Sequence, residues 1–161
     1  MVDVLTPEQR HLVMSRIRSK DTKPEMIVRR LLYAQGYRYR LHAKDLPGKP
    51  DIVFRGRHKV IFVNGCFWHS HSCADGRHRP QTNADFWGAK RQRTLDRDAH
   101  AVAVLEANGW SVATVWECEL RDAEGLLRVL GVFLGPTAAD ARSTGGGFDS
   151  GPGEGDPRPL G

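Results

Sequence analysis

Apolar residues along the chain switch between a helical and a strand period, and the switches divide it into successive elements. Ile27, Val28, Leu31 and Leu32 fall at helical intervals behind Thr22-Lys23-Pro24-Glu25, a stretch that combines capping-box spacing with a proline in the first turn. A helix is expected over 23–35, stopping at Gly36. Residues 37–41, 51–54 and 60–63 are short β-prone runs separated by Pro47-Gly48-Lys49-Pro50 and Arg55-Gly56-Arg57. Such short turns predict three consecutive antiparallel strands. A second long helix fits 83–107, ending near Asn108-Gly109; residues 111–116 read as a buried strand returning beside the others, and 122–134 as a closing helix. Residues 7–19 are helical but weakly amphipathic, with Leu12, Val13, Met14 and Ile17 among Arg10, Arg16 and Arg18, and are expected to form an arm outside the core. The alternation points to an α/β sandwich rather than a bundle.

Residues 136–161 carry seven Gly and four Pro with almost nothing apolar to bury, so a disordered tail is expected there. The remaining length suits one domain. No basic-then-apolar leader opens the chain and no run approaches the roughly 20 apolar residues of a membrane span, so a soluble, intracellular, cytoplasmic protein is expected.

Charge changes the picture next. The formal +5 understates the folded part, because 136–161 hold two Arg against four acids and leave +7 on the rest. Ten Lys or Arg and only two acids, Asp21 and Glu25, lie between Arg10 and Lys44. This density suits a polyanion, nucleic acid first, although a solvated helix face carries the same charge.

Three cysteines argue against a disulfide framework and leave burial or metal ligation. Cys66-Phe-Trp-His-Ser-His71-Ser-Cys73 offers two thiolates and a suitably spaced imidazole in one polar loop, and Cys118 lies just past the strand at 111–116. Together they make a closed Cys3His set suited to one structural Zn2+. Spacing alone does not choose between His69 and His71 as the fourth ligand; His78 is a distant third.

MSRIRSKDTKPE at 14–25, LPGKPDIVF at 46–54, VIFVNGCFWHSHSC at 60–73, FW at 86–87 and WECEL at 116–120 together resemble the very short patch repair endonuclease family over roughly residues 10–134. The resemblance implies a restriction-endonuclease-like α/β/α core with a central mixed sheet, a zinc-stapled loop and an N-terminal helical arm. It divides the chain into a basic DNA-binding arm (1–20), an endonuclease domain (21–135) and the tail (136–161). It also implies a Mg2+-dependent nick 5′ of the thymine in a T:G mismatch, the lesion left by deamination of 5-methylcytosine.

By that resemblance, Asp51 holds one or two Mg2+ ions together with the main-chain carbonyl of Val63, a ligation that tolerates side-chain change. His69 matches the general base, which leaves His71 for zinc. Glu25 matches an active-site acid, although its capping-box spacing from Thr22 explains it structurally as well. Asp98 aligns with an acid that holds water at the metal, with Asp96 the lesser candidate and a charged helix face the structural explanation. Asn64 stands where the family has a histidine; an amide can orient water but cannot titrate.

Phe67, Trp68 and Trp87 match a wedge that enters the base stack beside the mismatch, against the plainer reading of a small aromatic core. Met14 presses from the opposite groove, while Arg16, Arg18, Lys20 and Lys23 hold phosphates. The implied partner is double-stranded DNA bound by a monomer acting at the bacterial nucleoid, with a functional link to a cytosine-5 DNA methyltransferase and to mismatch-repair proteins. Two other readings carry less of the sequence: a relaxed-specificity nickase in genome defence, and a zinc-stabilised DNA-binding module whose nuclease chemistry has lapsed.

Overall fold

Four strands, Arg40–Leu41 (β1), Ile52–Phe54 (β2), Lys59–Asn64 (β3) and Ser111–Trp116 (β4), form one sheet in the order β1-β2-β3-β4. The β1–β2 and β2–β3 pairs are antiparallel, whereas β4 lies parallel to β3, so the expected mixed sheet is present. The computed structural model describes residues 6–16 and 20–144, with Arg10, residues 13–16 and Thr144 described by backbone only. The helices are α1 (Pro7–Arg16), α2 (Lys23–Ala34), a single turn α3 (Ala74–Arg77), α4 (Ala84–Ala107), α5 (Ala123–Leu134) and α6 (Ala138–Thr144).

Strand alternation sends side chains to opposite faces and builds a core on each. Ile52, Phe54, Ile61, Val63 and Val115 pack with Val28 and Leu32 of α2 and Leu126, Leu130 and Leu134 of α5. On the other face Val53 and Val60 meet Leu105 of α4 and Ala43, flanked by Phe62, Trp110 and Val112. The result is the α/β/α sandwich. Each fully buried aliphatic side chain contributes about 1.5–3 kcal/mol, so the five core residues of α2 and α5 alone outweigh any single surface contact.

Three expectations need correction. Strand β1 is two residues rather than five, because β2 offers only three residues to pair with and the left-handed His42 (φ 47°) ends the run. Tyr37 and Tyr39 instead turn edge-on to Phe54 and send their hydroxyls to the carbonyls of Gly135 and Arg29. Strand β4 is an edge strand, so of its residues only Val115 is buried. Residues 136–144 are not part of a disordered tail: Arg57 donates to the Pro136 carbonyl, Thr137 is buried, and its backbone N–H and hydroxyl bond Asp140 at the start of α6. That cap sits in a composition otherwise poor in apolar residues, which is why composition overlooked it. Residues 1–5, 17–19 and 145–161 lie outside the described residues, and with them the expected positions of Ile17 and Arg18.

Candidate active site and metal cluster

Parallel pairing of β3 with β4 brings the C-terminal ends of both strands to one end of the sheet, with Asn64 opposite Trp116. Cys66 and Cys118 each follow two residues later, so the register alone makes them neighbours: the Cys118 N–H donates to Cys66 Sγ at 3.4 Å. Cys73 and His71 complete a group whose ligand atoms all lie within 4.8 Å of one another. Stacking of the His71 ring on Trp116, 4.3 Å between centroids and 21° between planes, holds Nδ1 at 3.5 Å from Cys118 Sγ. A tetrahedral zinc site with Zn–S near 2.3 Å and Zn–N near 2.0 Å needs an S···N separation of about 3.5 Å. The donor set fits.

Burial, with thiol neighbours adding to it, pushes the Cys66 thiol up to about 12, while hydrogen bonding from His71 pulls Cys73 down to about 6. A cation shared by the sulfurs would favour every thiolate, because thiolates are the metal-binding form. The loop is kept closed at Gly76, where a Cβ would stand 2.0 Å from the His71 carbonyl oxygen, so no side chain is tolerated there.

The second feature follows from a proline. Continuing the β2–β3 register puts Pro50 opposite Val63, and proline has no N–H to donate across the ladder. The Val63 N–H donates to Oδ2 of Asp51 at 2.8 Å. Because N–H and C=O of one strand residue point to the same side, the Val63 carbonyl faces the same region with no ladder donor. A carboxylate and a free carbonyl are hard oxygen donors of the kind Mg2+ takes. The turn before Asp51 is fixed by Gly48 (φ 71°), whose missing side chain admits Ala101 of α4: a Cβ would lie 2.6 Å from that of Ala101.

Asp51 opens into a cleft of about 730 Å3 that also meets Glu25, Asn64, His69 and Asp98, residues drawn from α2, β3, the zinc loop and α4. Burial, reinforced by the Glu25 charge, lifts the Asp51 carboxyl to about 6. Two carboxylates sharing a desolvated cleft favour a proton or a cation between them. Lys20, Lys44, Lys49 and Arg97 line the same cleft and supply positive charge. His69 Nδ1 lies 2.5 Å from Asp98 Oδ2, leaving Nε2 as the other ring nitrogen.

Glu25 is 3% exposed, lines the cleft and bonds at the start of α2. Its backbone N–H reaches Thr22 Oγ1 at 3.5 Å, and its Oε2 accepts from the backbone N–H of Asp21, one residue ahead of the capping position, at 3.0 Å. Sequence reasoning missed its other partner, Arg29, one turn along α2 and 3.0 Å from Oε2. It also missed His42 and Glu117, which line the cleft. The Glu25–Arg29 spacing of four was the available signal for the first; nothing local marked the other two.

Phe67, Trp68 and Trp87 form one half-exposed aromatic cluster, with centroids 5.1, 5.7 and 6.0 Å apart, and Phe86 extends it outward. Two cations of α4 underlie it. Lys90 Nζ sits 5.0 Å from the Trp68 ring centre, and the Arg91 guanidinium 4.9 Å from that of Phe67. Arg91 is 4% exposed and also donates to the carbonyls of His78 and Gly76, so it bolts the zinc loop to α4. The three rings pack on one another yet remain half-exposed.

Of the arm residues, Met14 and Arg16 are described by backbone alone and Arg18 lies outside the described residues. Lys23 lines a groove of about 310 Å3 beside Cys118 and Arg121, which borders the Asp51 cleft through Pro24 and Glu117. No helix among the described residues is long and apolar enough to cross a membrane.

The family model "DNA mismatch endonuclease Vsr" matches residues 2–75. The type II nicking enzyme V.XorIIP of Xanthomonas oryzae is 50% identical over 137 residues, 85% of this chain and all of the relative. The type II nicking enzyme V.NmeAIP of Neisseria meningitidis is 47% identical over 122 residues, 76% of this chain and 86% of the relative. The DNA mismatch endonuclease Vsr of Escherichia coli is 39% identical over 126 residues, 78% of this chain and 80% of the relative. Together with the mixed sheet and the Cys3His cluster, these matches identify the chain as a member of the Vsr family of DNA mismatch and nicking endonucleases.

Proposed function

We propose that the protein nicks one strand of duplex DNA 5′ of the thymine in a T:G mismatch, using Mg2+ held by Asp51 and the Val63 carbonyl. The observation that carries the reading is the single cleft shared by Asp51, Glu25, Asn64, His69 and Asp98, with basic side chains along it and Trp68 at its edge. His69, oriented by Asp98, takes a proton from the attacking water through its remaining nitrogen. Glu25 and Asn64 orient water by hydrogen bonding. The ion, when bound, supplies charge stabilisation at the phosphate and a lowered water pKa.

Cys66, His71, Cys73 and Cys118 hold one structural zinc ion, which fixes the loop bearing His69 and the wedge residues Phe67 and Trp68. Trp87 completes the wedge, and mismatched pairs unstack at a cost lower by up to a few kcal/mol. Met14, Arg16, Arg18, Lys20 and Lys23 of the arm and its junction hold the opposite groove and the phosphates. The protein acts as a monomer in the cytoplasm, at the nucleoid, and is linked functionally to a cytosine-5 methyltransferase and mismatch-repair proteins.

One observation favours a second reading: Asn64, which cannot titrate, lines the cleft where the family has a histidine. That suits a DNA-binding module without cleavage; a nickase of relaxed specificity is the remaining alternative. Incubation with Mg2+ and otherwise identical T:G and T:A duplexes separates the three. Nicking of T:G alone, lost in Asp51→Ala and His69→Ala, is expected; equal nicking of both, or binding without nicking, would remove the leading reading.

A further inference from the structure

We infer that Arg29 and His42 are positioning residues of the nicking site, acting through Glu25; the inference rests on reading Glu25 as an acid of that site. Arg29 is 6% exposed on α2, and its two terminal nitrogens have four acceptors for four protons. Nη1 donates to Asp21 Oδ1 at 2.7 Å and to Met26 Sδ at 3.1 Å. Nη2 donates to Glu25 Oε2 at 3.0 Å and meets His42 Nε2 at 2.8 Å. His42 Nε2 also lies 3.3 Å from Asp21 Oδ1, so the imidazole sits between the guanidinium and that carboxylate.

The ligand atoms of Asp21, Glu25 and His42 all lie within 4.8 Å of one another, close enough to resemble a metal site. The guanidinium already bridges them. These three side chains therefore form a cage around an internal cation, and the ion of the nicking site belongs at Asp51 instead. Both bonds from Arg29 and Asp21 to the Glu25 carboxylate fall on Oε2, so Oε1 is the oxygen left for the cleft that Glu25 lines. A planar fork with two pinned ends fixes that choice, which a lysine point charge cannot do.

The cage also spans the elements that carry the two carboxylates. Asp21 (φ 54°) and His42 (φ 47°) are non-glycine residues in the left-handed region, and their side chains meet each other, 3.3 Å apart, at the guanidinium. The His42 N–H donates to the Asp51 carbonyl at 3.3 Å, so the cage joins the start of α2 to the backbone of Asp51 itself. Displacing Glu25 by about 1 Å is enough to slow a positioned reaction by on the order of a hundredfold.

The test is a double-mutant cycle on single-turnover nicking at saturating T:G duplex, with duplex affinity and Tm followed alongside. Arg29→Met should slow nicking by on the order of tenfold to a hundredfold, His42→Ala by about threefold to tenfold, with duplex affinity changed by less than about threefold. Arg29→Lys should recover part of the loss. In a Glu25→Gln background, none of these changes should slow nicking further. Losses that multiply through the Glu25→Gln background would overturn the inference, as would a lowered Tm with unchanged nicking rate. If Arg29→Met does not fold, Arg29→Lys and His42→Ala complete the cycle.

A second readout needs no cleavage: slowly exchanging Arg29 Nη protons in 15N NMR of the parent, lost in Glu25→Gln and in His42→Ala. A freely rotating Arg29 guanidinium in the parent overturns the inference whatever the parent cuts. A parent that shows the caged guanidinium but makes no Mg2+-dependent nick removes the nicking reading, and the positioning role with it, while leaving the cage itself in place.

Discussion

Asp98 of α4 stands 2.5 Å from Nδ1 of His69, tying the longest helix to the zinc loop at the point where the proposed general base sits. The pair fixes the ring and leaves one nitrogen for water. His69→Ala is expected to slow nicking by about 10²–10⁴-fold, the usual share of a general base. Asp98→Ala should cost less, and nothing more once His69 is gone. Single-turnover rates of the two variants and the double variant check this; multiplicative losses would mean that Asp98 acts independently of His69.

Burial holds the Asp51 carboxyl at about 6, above its ordinary 3.8, so ionising it opposes folding. The stability a protonated Asp51 provides is complete below about pH 4 and is lost as pH rises through about 6, by no more than about 3 kcal/mol. Asp51→Asn should therefore raise the metal-free Tm at pH 8, with a gain that shrinks between pH 6 and 4, while abolishing Mg2+-dependent nicking. Millimolar Mg2+ should raise the Tm of the parent and leave that of the variant unchanged. Thermal unfolding across pH with and without Mg2+ tests both; a variant less stable than its parent at pH 8 contradicts the sign.

Cys118→Ser should lower bound zinc to well below one ion per chain and lower Tm by more than about 5 °C, the size that a loss of about 2 kcal/mol gives at this length. Because Cys118 and Cys66 extend paired strand ends, nicking and mismatch preference should fall together. Metal content by mass spectrometry decides the ligand assignment, and unchanged stoichiometry refutes it.

Arg91 carries the zinc loop through the carbonyls of Gly76 and His78 and underlies Phe67. Arg91→Met removes two hydrogen bonds to the carbonyls of Gly76 and His78, to which Arg79 still donates, and should destabilise the fold by about 1–3 kcal/mol. Its loosened wedge should also narrow the difference in affinity between T:G and T:A duplexes. Equilibrium unfolding and duplex titration measure the two effects, and a stable variant with full discrimination would deny the link between α4 and the wedge.

Trp68→Ala tests the aromatic cluster more directly. With Phe67 and Trp87 still in contact, the fold should lose less than about 1 kcal/mol while preference for the mismatch falls by about tenfold or more. A large stability loss with preference intact would return these residues to the small-core reading.

Much of this was legible in one dimension. Helices α2, α4 and α5 announced themselves by apolar spacing, by Thr22-Lys23-Pro24-Glu25 and by Gly36 and Gly109, and each lies within a residue or so of its expected ends. Asp51 and the Cys66–Cys73 loop stood out because their motifs are long and chemically specific. The ends of β1 and the cap at Thr137 did not, because pairing length and a Thr–Asp contact leave little trace in hydrophobic period.

The chain by itself determined which chemistry is available: three thiols and an imidazole in metal-ligand spacing, a Pro-Asp at a strand start, and an excess of positive charge. Only the tertiary structure decided which of these groups meet. Parallel pairing of β3 with β4 joined Cys118 to a loop 45 residues upstream of it, the missing N–H of Pro50 freed the Val63 carbonyl beside Asp51, and α2 laid Arg29 between Glu25 and His42. Local spacing encodes a helix face or a loop's ligands, because neighbours in sequence are then neighbours in space. Register between distant strands is set by the packing of two cores at once, and no short stretch of the chain contains that information.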